Sequence, residues 1–201
     1  MNMDPQTQTD DQVVASVLDG RRQDFEILIR RYSDRIIHFI TRMTQDRDEA
    51  QSIAQEVFLK IFQNLPYYRQ ENNFSAFIFK IAKNMTLNWL KRGKRTVFFS
   101  RLLGREFNKA PFRQEAPLFS RHDQSERDAE ISRNLLLLPE EQRLALILKV
   151  YLEFSYKQIR EITGWSIPKI ETLISRAKGR LKKNILLQER NLEIVSPARE
   201  E

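Results

Sequence analysis

Cysteine is absent from the 201 residues, which excludes a disulfide framework and thiolate-ligated zinc. Glycine is scarce at 5 and proline at 7, too few for the turn-dense connections of a β-sandwich or barrel. The two histidines are His38, in an apolar helical pattern, and His122, in a polar stretch. Neither belongs to a nucleophile dyad or a metal-ligand spacing, and no glycine-rich phosphate loop is present. Catalysis, metal binding and a cofactor are therefore not expected. No apolar run approaches the ~20 residues that cross a bilayer. The opening MNMDPQTQTDD is acidic and polar, the reverse of a secretory signal. These absences point to a soluble cytoplasmic protein with no membrane insertion.

What is present is charge and helical periodicity. Charged residues make up 30% of the chain and hydrophobic residues 41%, a globular balance. The net charge of +7 is unevenly placed. Residues 1–92 carry 13 basic and 12 acidic side chains, whereas Gly164–Lys183 carries six basic residues and one acid, Glu171. A basic excess gathered on one short element is the electrostatic footprint expected where a phosphate backbone is met.

The spacing of apolar residues predicts helices throughout. Asp10 or Asp11 is placed to cap a first helix that ends at Leu18, with Gly20 as its stop. From Asp24 a long stripe follows: Phe25, Leu28, Ile29, Tyr32, Ile36, Phe39, Ile40 and Met43. Asp46 with Glu49 reads as a capping box opening a third helix, which Pro66 ends. After the loop PYYRQENNFS, Ser75 is placed to cap a helix to about Arg92, with Phe77, Ile78, Ile81, Ala82, Met85 and Trp89 inward. The pattern fails from Gly93 to Glu130, which holds five phenylalanines (Phe98, Phe99, Phe107, Phe112, Phe119) and 8 basic against 6 acidic residues. This stretch reads as a linker with a docking role. Pro139 then opens PEEQRLALILKVYLE, with Glu140 and Glu141 at its positive end.

The chemistry-bearing motif is at the far end. Ser155 caps YKQIREIT, Gly164 closes it, and Ser166 opens a last helix with Pro168 in its first turn. Two short helices around a three-residue turn have helix-turn-helix proportions. Ile167, Ile170, Ile174, Ala177 and Leu181 fall on one face, expected to pack on Tyr156, Ile159 and Ile162. Lys169, Glu171, Thr172, Ser175, Arg176 and Lys178 are left outside, facing a duplex groove.

Four blocks in order, DEAQSIAQEVFLKIF, NFSAFIFKIAKNMTLNWLKRGKR, LPEEQRLALILKVYLEFSYKQIREITGWS and IETLISRAKGRLKK, resemble the extracytoplasmic-function sigma factors of the sigma-70 family. The resemblance implies an all-α protein of two helical domains, an N-terminal helical bundle and a C-terminal helix-turn-helix, joined by a long linker. Residues 1–92 would be region 2, 93–130 the linker, 131–187 region 4 and 188–201 a tail. The implied partners are core RNA polymerase, promoter DNA and an anti-sigma factor. The implied function is to direct polymerase to promoters and begin transcription by recognising and melting them.

Residue by residue, the resemblance assigns Asp48, Ile53, Gln55, Glu56 and Phe58 to core polymerase, Phe74, Phe77, Lys80 and Asn84 to the melted minus-ten element, and Lys169, Glu171, Thr172, Ser175, Arg176 and Lys178 to the minus-thirty-five duplex. Three places depart from the family's habit. Ser52 stands where an acid is frequent, Phe77 where Trp is common, and Glu171 and Leu173 where Lys and Arg are common. Glu171 implies an unusual upstream sequence, since a carboxylate accepts from cytosine's amino group. The other reading, a stand-alone helix-turn-helix regulator that binds duplex DNA by itself, accounts for the last helix but not for DEAQSIAQEVFLKIF or the Asn84 helix.

Overall fold

The computed structural model describes residues 8–69, 73–103 and 133–195, of which 94–103 and 188–195 are helical backbone only. Among the described residues the longer helices are α1 (Asp10–Leu18), α2 (Phe25–Thr44), α3 (Arg47–Asn64), α4 (Phe74–Leu103), α5 (Glu140–Leu146), α6 (Tyr156–Thr163) and α7 (Ile167–Val195). Among the described residues no strand occurs.

Caps explain most of the boundaries, with two corrections. Thr9, rather than Asp10 or Asp11, caps α1: its hydroxyl accepts from the Gln12 backbone N–H at 3.3 Å and the Gln12 side-chain Oε1 accepts from the Thr9 N–H at 2.8 Å. A reciprocal box of this kind contributes about 1 kcal/mol. Asn73, rather than Ser75, caps α4, its side-chain oxygen accepting from the Ala76 N–H at 3.2 Å. Asp46 caps α3 as expected, but only half a box forms, because the Glu49 carboxylate is turned toward Trp89 on α4.

Helix α4 runs eleven residues past the expected Arg92. Gly93 costs about 1 kcal/mol inside a helix, and no proline or further glycine occurs in 94–103 to stop it. Phe98 and Phe99 thus fall on helical backbone, while Phe107, Phe112, Phe119 and His122 lie outside the described residues. The buried face is also rotated from the expected one. Ile78 and Ala82 are buried, but so are Phe79, Thr86 and Leu90, while Phe77, Ile81, Met85 and Trp89 are only half-buried. The reason is that α4 packs on both sides, against α2 and α3 on one and against α6 on the other.

The N-terminal bundle closes around Leu28, Ile36, Phe39, Ile40, Met43, Ile61 and Phe79, all within 1% of full burial. Phe39 and Phe79 meet edge to face at 5.7 Å, the arrangement aromatic quadrupoles favour. This core runs without a break into Phe154, Ile159, Ile162, Ile170 and Ile174 of the C-terminal half. The two helical domains expected from the sequence pack directly on each other.

The C-terminal half begins with a turn of helix at Arg133 and passes Pro139, which sits at the cap of α5 (φ −52°, ψ 144°) rather than inside it. Helix α5 does not continue through to Glu153. It widens to a π-turn, Ile147–Tyr151, in which the Leu152 N–H reaches the Ile147 carbonyl at 3.1 Å. Glu153 follows in the left-handed region at φ 57°. Ser155 then caps α6 with a full box to Gln158, and Gly164 ends it at φ 77°, where its missing Cβ avoids the left-handed penalty. Helix α7 continues to Val195, so the first part of the expected tail after Leu187 is helical.

Candidate polymerase and promoter interfaces

Three surfaces carry the residues singled out by sequence. The first is the outer face of α3. Its inner stripe, Ala50, Ile53, Ala54, Val57, Phe58 and Ile61, is buried in the bundle. Asp48, Gln55 and Glu56 are exposed, whereas Ile53 and Phe58, grouped with them, are packed inside and present no surface. Sequence reasoning missed Leu59, which lies beside Gln55 and Glu56 with 59% of its surface open. The signal was its position off the apolar stripe: a large aliphatic residue there has no core to enter.

The second surface is the start of α4. Lys80 and Asn84 are exposed and one turn apart, on the same face. Phe77 is half-buried, 5.2 Å from the Tyr68 ring and 6.0 Å from Phe74. Phe74 is buried, edge-on to Tyr32 at 5.9 Å and to Tyr68 at 5.1 Å, so it forms the wall behind Phe77 and has no free face of its own.

The wall is pinned from α1. The Tyr32 hydroxyl donates to Asp10 at 2.6 Å and the Tyr68 hydroxyl to Asp11 at 2.8 Å, while Arg31 pairs with Asp10 at 2.8 Å. Burial first, and then the carboxylate partner, holds both phenols well above the ordinary tyrosine range. Tyr67, next to this cluster, is 80% exposed. Lys83 is half-buried; burial, and then the neighbouring charge of Lys80, lowers its pKa.

The third surface is α7. Ile170, Leu173, Ile174 and Ala177 are buried, and Lys169, Glu171, Thr172, Ser175, Arg176 and Lys178 are all exposed, in one contiguous strip. Ile167, expected inward, is instead 37% exposed at the helix start. Leu173 is only 8% exposed and belongs to the core, so its departure from a basic residue concerns packing and not the groove.

Two members of the strip are tied down. Lys169 pairs with Glu141 of α5 at 2.9 Å and lies 4.8 Å over the Trp165 ring, and the Thr172 hydroxyl donates to the Pro168 carbonyl at 2.8 Å. Among the described residues Glu171, Ser175, Arg176 and Lys178 have no such tie. Lys157 and Arg160 of α6 are also exposed.

His38, within the apolar pattern of α2, is exposed. Among the described residues no group of three His, Cys, Asp or Glu is placed to hold a metal. Within the same residues no helix is long and apolar enough to cross a membrane.

Two halves of the chain match separate family descriptions: Sigma-70 region 2 over residues 28–96 and Sigma-70 region 4 over residues 129–181. RNA polymerase sigma factor YlaC of Bacillus subtilis is 30% identical over 164 residues, 82% of this chain and 93% of its own. The ECF RNA polymerase sigma factor SigW of the same organism is 24% identical over 176 residues, 86% of this chain and 94% of its own. Among solved structures, the sigma factor RpoE from Bartonella quintana, in complex with the anti-sigma factor NepR, shares the fold with a TM-score of 0.68 at 23% identity, covering 80% of this chain and 96% of that one. CnrH, in complex with the cytosolic domain of CnrY, gives 0.65 at 17% identity, covering 86% and 94%.

The chain therefore belongs to the extracytoplasmic-function group of the sigma-70 family, the initiation factors that direct RNA polymerase to promoters. The region 2 match in the N-terminal half favours this over a stand-alone helix-turn-helix regulator.

Proposed function

We propose that the three surfaces divide the work of initiation. The open face of α3, with Asp48, Gln55, Glu56 and the newly found Leu59, docks core polymerase. Ile53 and Phe58 hold that helix in place from inside. The start of α4 holds the melted minus-ten strand: Phe77, backed by Phe74, offers a ring to an unstacked base, Asn84 an amide to its edge, and Lys80 charge to the backbone. The α7 strip enters the major groove at the minus-thirty-five element, where Glu171 and Arg176 read base edges, Thr172 and Ser175 hydrogen-bond, and Lys169 and Lys178 meet phosphate. Region 2 then corresponds to residues 1–92 and region 4 to 131–187.

The observation that carries the reading is the division of each helix into a buried apolar face and an exposed polar face bearing the assigned residues. The protein works in the cytoplasm without catalysing a reaction itself, leaving nucleotide chemistry to the polymerase. Its partners include an anti-sigma factor, as the RpoE structure has in NepR. Run-off transcription with core polymerase and a pool of genomic fragments tests the proposal. Discrete transcripts dependent on this protein, lost on Gln55→Ala/Glu56→Ala, are expected. Undiminished transcription by that variant would remove the α3 face from the docking surface.

A further inference from the structure

The rings behind the α4 surface are held from outside that helix. They form a continuous run: Tyr32 meets Phe74 at 5.9 Å, Phe74 meets Tyr68 at 5.1 Å, and Tyr68 meets Phe77 at 5.2 Å. The phenol on each side of Phe74 is fixed by a carboxylate of α1. Tyr32 donates to Asp10 Oδ2 at 2.6 Å and Tyr68 to Asp11 Oδ1 at 2.8 Å. The second bond joins positions 57 residues apart in sequence.

The two aspartates can do this because the first turn of α1 is itself fixed. The Thr9–Gln12 box starts the helix, and Val13, Val14 and Val17 bury its inner face. Arg31 of α2 then bonds Asp10 Oδ1 at 2.8 Å and the Gln8 carbonyl at 2.7 Å. Asp10 thus accepts from Arg31 on one oxygen and from Tyr32 on the other, and cannot rotate without losing a bond.

Packing alone does not call for these hydroxyls. Phe39 and Phe79 fill the same bundle edge to face with no polar group. A buried phenol carries a desolvation cost that its hydrogen bond must offset. What a satisfied polar network adds is a fixed orientation. The ring that this orientation serves is Phe77, half-buried in the first turn of α4 and backed by Tyr68 and Phe74. Base stacking depends on close contact, and a gap of ~0.5–1 Å forfeits about a quarter to a half of it. Without Asp11 the Tyr68 ring is no longer held in place, and Phe77 loses a fixed wall.

We propose that Asp10 and Asp11 are positioning residues for promoter melting: acting through Tyr32 and Tyr68, they set the Phe77 ring where an unstacked base of the minus-ten strand lands. The inference rests on the assignment of Phe77 to that strand.

The test is holoenzyme binding to a single-stranded oligonucleotide that carries the minus-ten sequence of the run-off promoters, with 2-aminopurine at the captured position. Asp11→Ala and Tyr68→Phe should each weaken binding about five- to tenfold and abolish the fluorescence change that stacking produces. The double variant should bind no more weakly than either single one, because both remove the same bond. Asp11→Asn, whose amide oxygen still accepts from the phenol, should recover most of the loss. Asp10→Ala and Tyr32→Phe form a second cycle read the same way.

A variant that is merely unstable loses core polymerase binding in parallel, whereas loss of positioning leaves core affinity unchanged. Tyr68→Phe keeps the ring and its packing, so it stays informative where Asp11→Ala fails to fold. Native oligonucleotide affinity in folded Tyr68→Phe, additive losses in the double variant, or an equal loss of core affinity overturns the proposal. Phe77→Ala is scored alongside. Native binding by that variant would remove the assignment of α4 to the melted strand; weakened binding by it, with Tyr68→Phe and Asp11→Ala unaffected, would remove the positioning role alone.

Discussion

The indole N–H of Trp89 donates to the Glu49 carboxylate at 3.1 Å, tying α4 to the first turn of α3. The bond joins the helix assigned to melted DNA to the helix assigned to polymerase, forty residues away in sequence. It also explains why Glu49 does not complete its capping box.

Trp89→Phe keeps most of the ring's packing and removes this charge-assisted bond. In a half-buried site the loss should be about 1–2 kcal/mol. At roughly 2–4 °C per kcal/mol for a chain of this size, thermal unfolding should fall by a few degrees. Calorimetry of the purified variant checks this; an unchanged midpoint would mean the bond has no net worth.

Glu171 is exposed on the recognition strip and, among the described residues, untied. Glu171→Lys should leave stability unaltered and shift base preference at one upstream position. A good base contact discriminates by about 1–3 kcal/mol, so the shift should be on the order of 5- to 150-fold at that position. Selection of upstream sequences by holoenzyme carrying each form gives the answer, and identical selected sequences would make Glu171 a bystander.

Asn84 and Lys80 are exposed on α4, so their removal should spare folding. Asn84→Ala should slow open-complex formation by about tenfold or more, for a lost amide contact of 1–2 kcal/mol, with core affinity intact. Lys80→Ala should weaken the same step in a salt-dependent way. Permanganate footprinting of melted thymines reads both. Equal loss of core binding would instead place these residues in docking.

Tyr32 and Tyr68 have phenol pKa values raised above the ordinary 10.0 by burial and by Asp10 and Asp11. A folded-state pKa raised above the unfolded value gives stability that is full below the unfolded pKa. That stability is lost as pH rises past it. Alkaline unfolding should therefore begin near pH 10, with phenolate absorbance from these two rings appearing only as helicity is lost. Tyr32→Phe/Tyr68→Phe should be less stable at neutral pH, through the lost hydrogen bonds, and show a flatter alkaline limb. Smooth titration of all five tyrosines in the folded protein would contradict this.

Gly164→Ala meets no neighbour within 4 Å, so its cost is conformational alone. At φ 77° an alanine should lose about 1–2 kcal/mol, read by denaturant titration, and loosen the α6–α7 turn. No loss would mean the turn readily adopts another conformation.

Apolar spacing alone made α2, α3, α6 and the start of α7 legible, because each buries one face against neighbours on one side. The split on α7 between Ile170, Ile174 and Ala177 inside and Glu171, Ser175 and Arg176 outside was readable for the same reason. Spacing misled on α4, which is covered from two sides: its buried set includes Phe79, Thr86 and Leu90, and its wide apolar arc admits more than one inward face. Caps were read less well where several residues compete. Thr9, Asp10 and Asp11 all suit a helix start, and the choice fell to Thr9 because the two carboxylates are drawn to Arg31, Tyr32 and Tyr68. Ile53, Phe58 and Phe74 stand in motif positions yet lie inside, since a motif names a helix and not the direction of each side chain.

By itself the sequence determined the helices, the basic recognition strip and the family, all of which depend on local periodicity and on residue order. Only the tertiary structure decided that the two halves meet, that a π-turn and a left-handed Glu153 aim Tyr151 and Phe154 at Arg42 and Arg35, and that Leu59 stays open beside Gln55. The reason is range. A helix is selected by neighbours three or four residues away, whereas the Arg35–Leu152 contact joins positions 117 residues apart and exists only once both halves are folded.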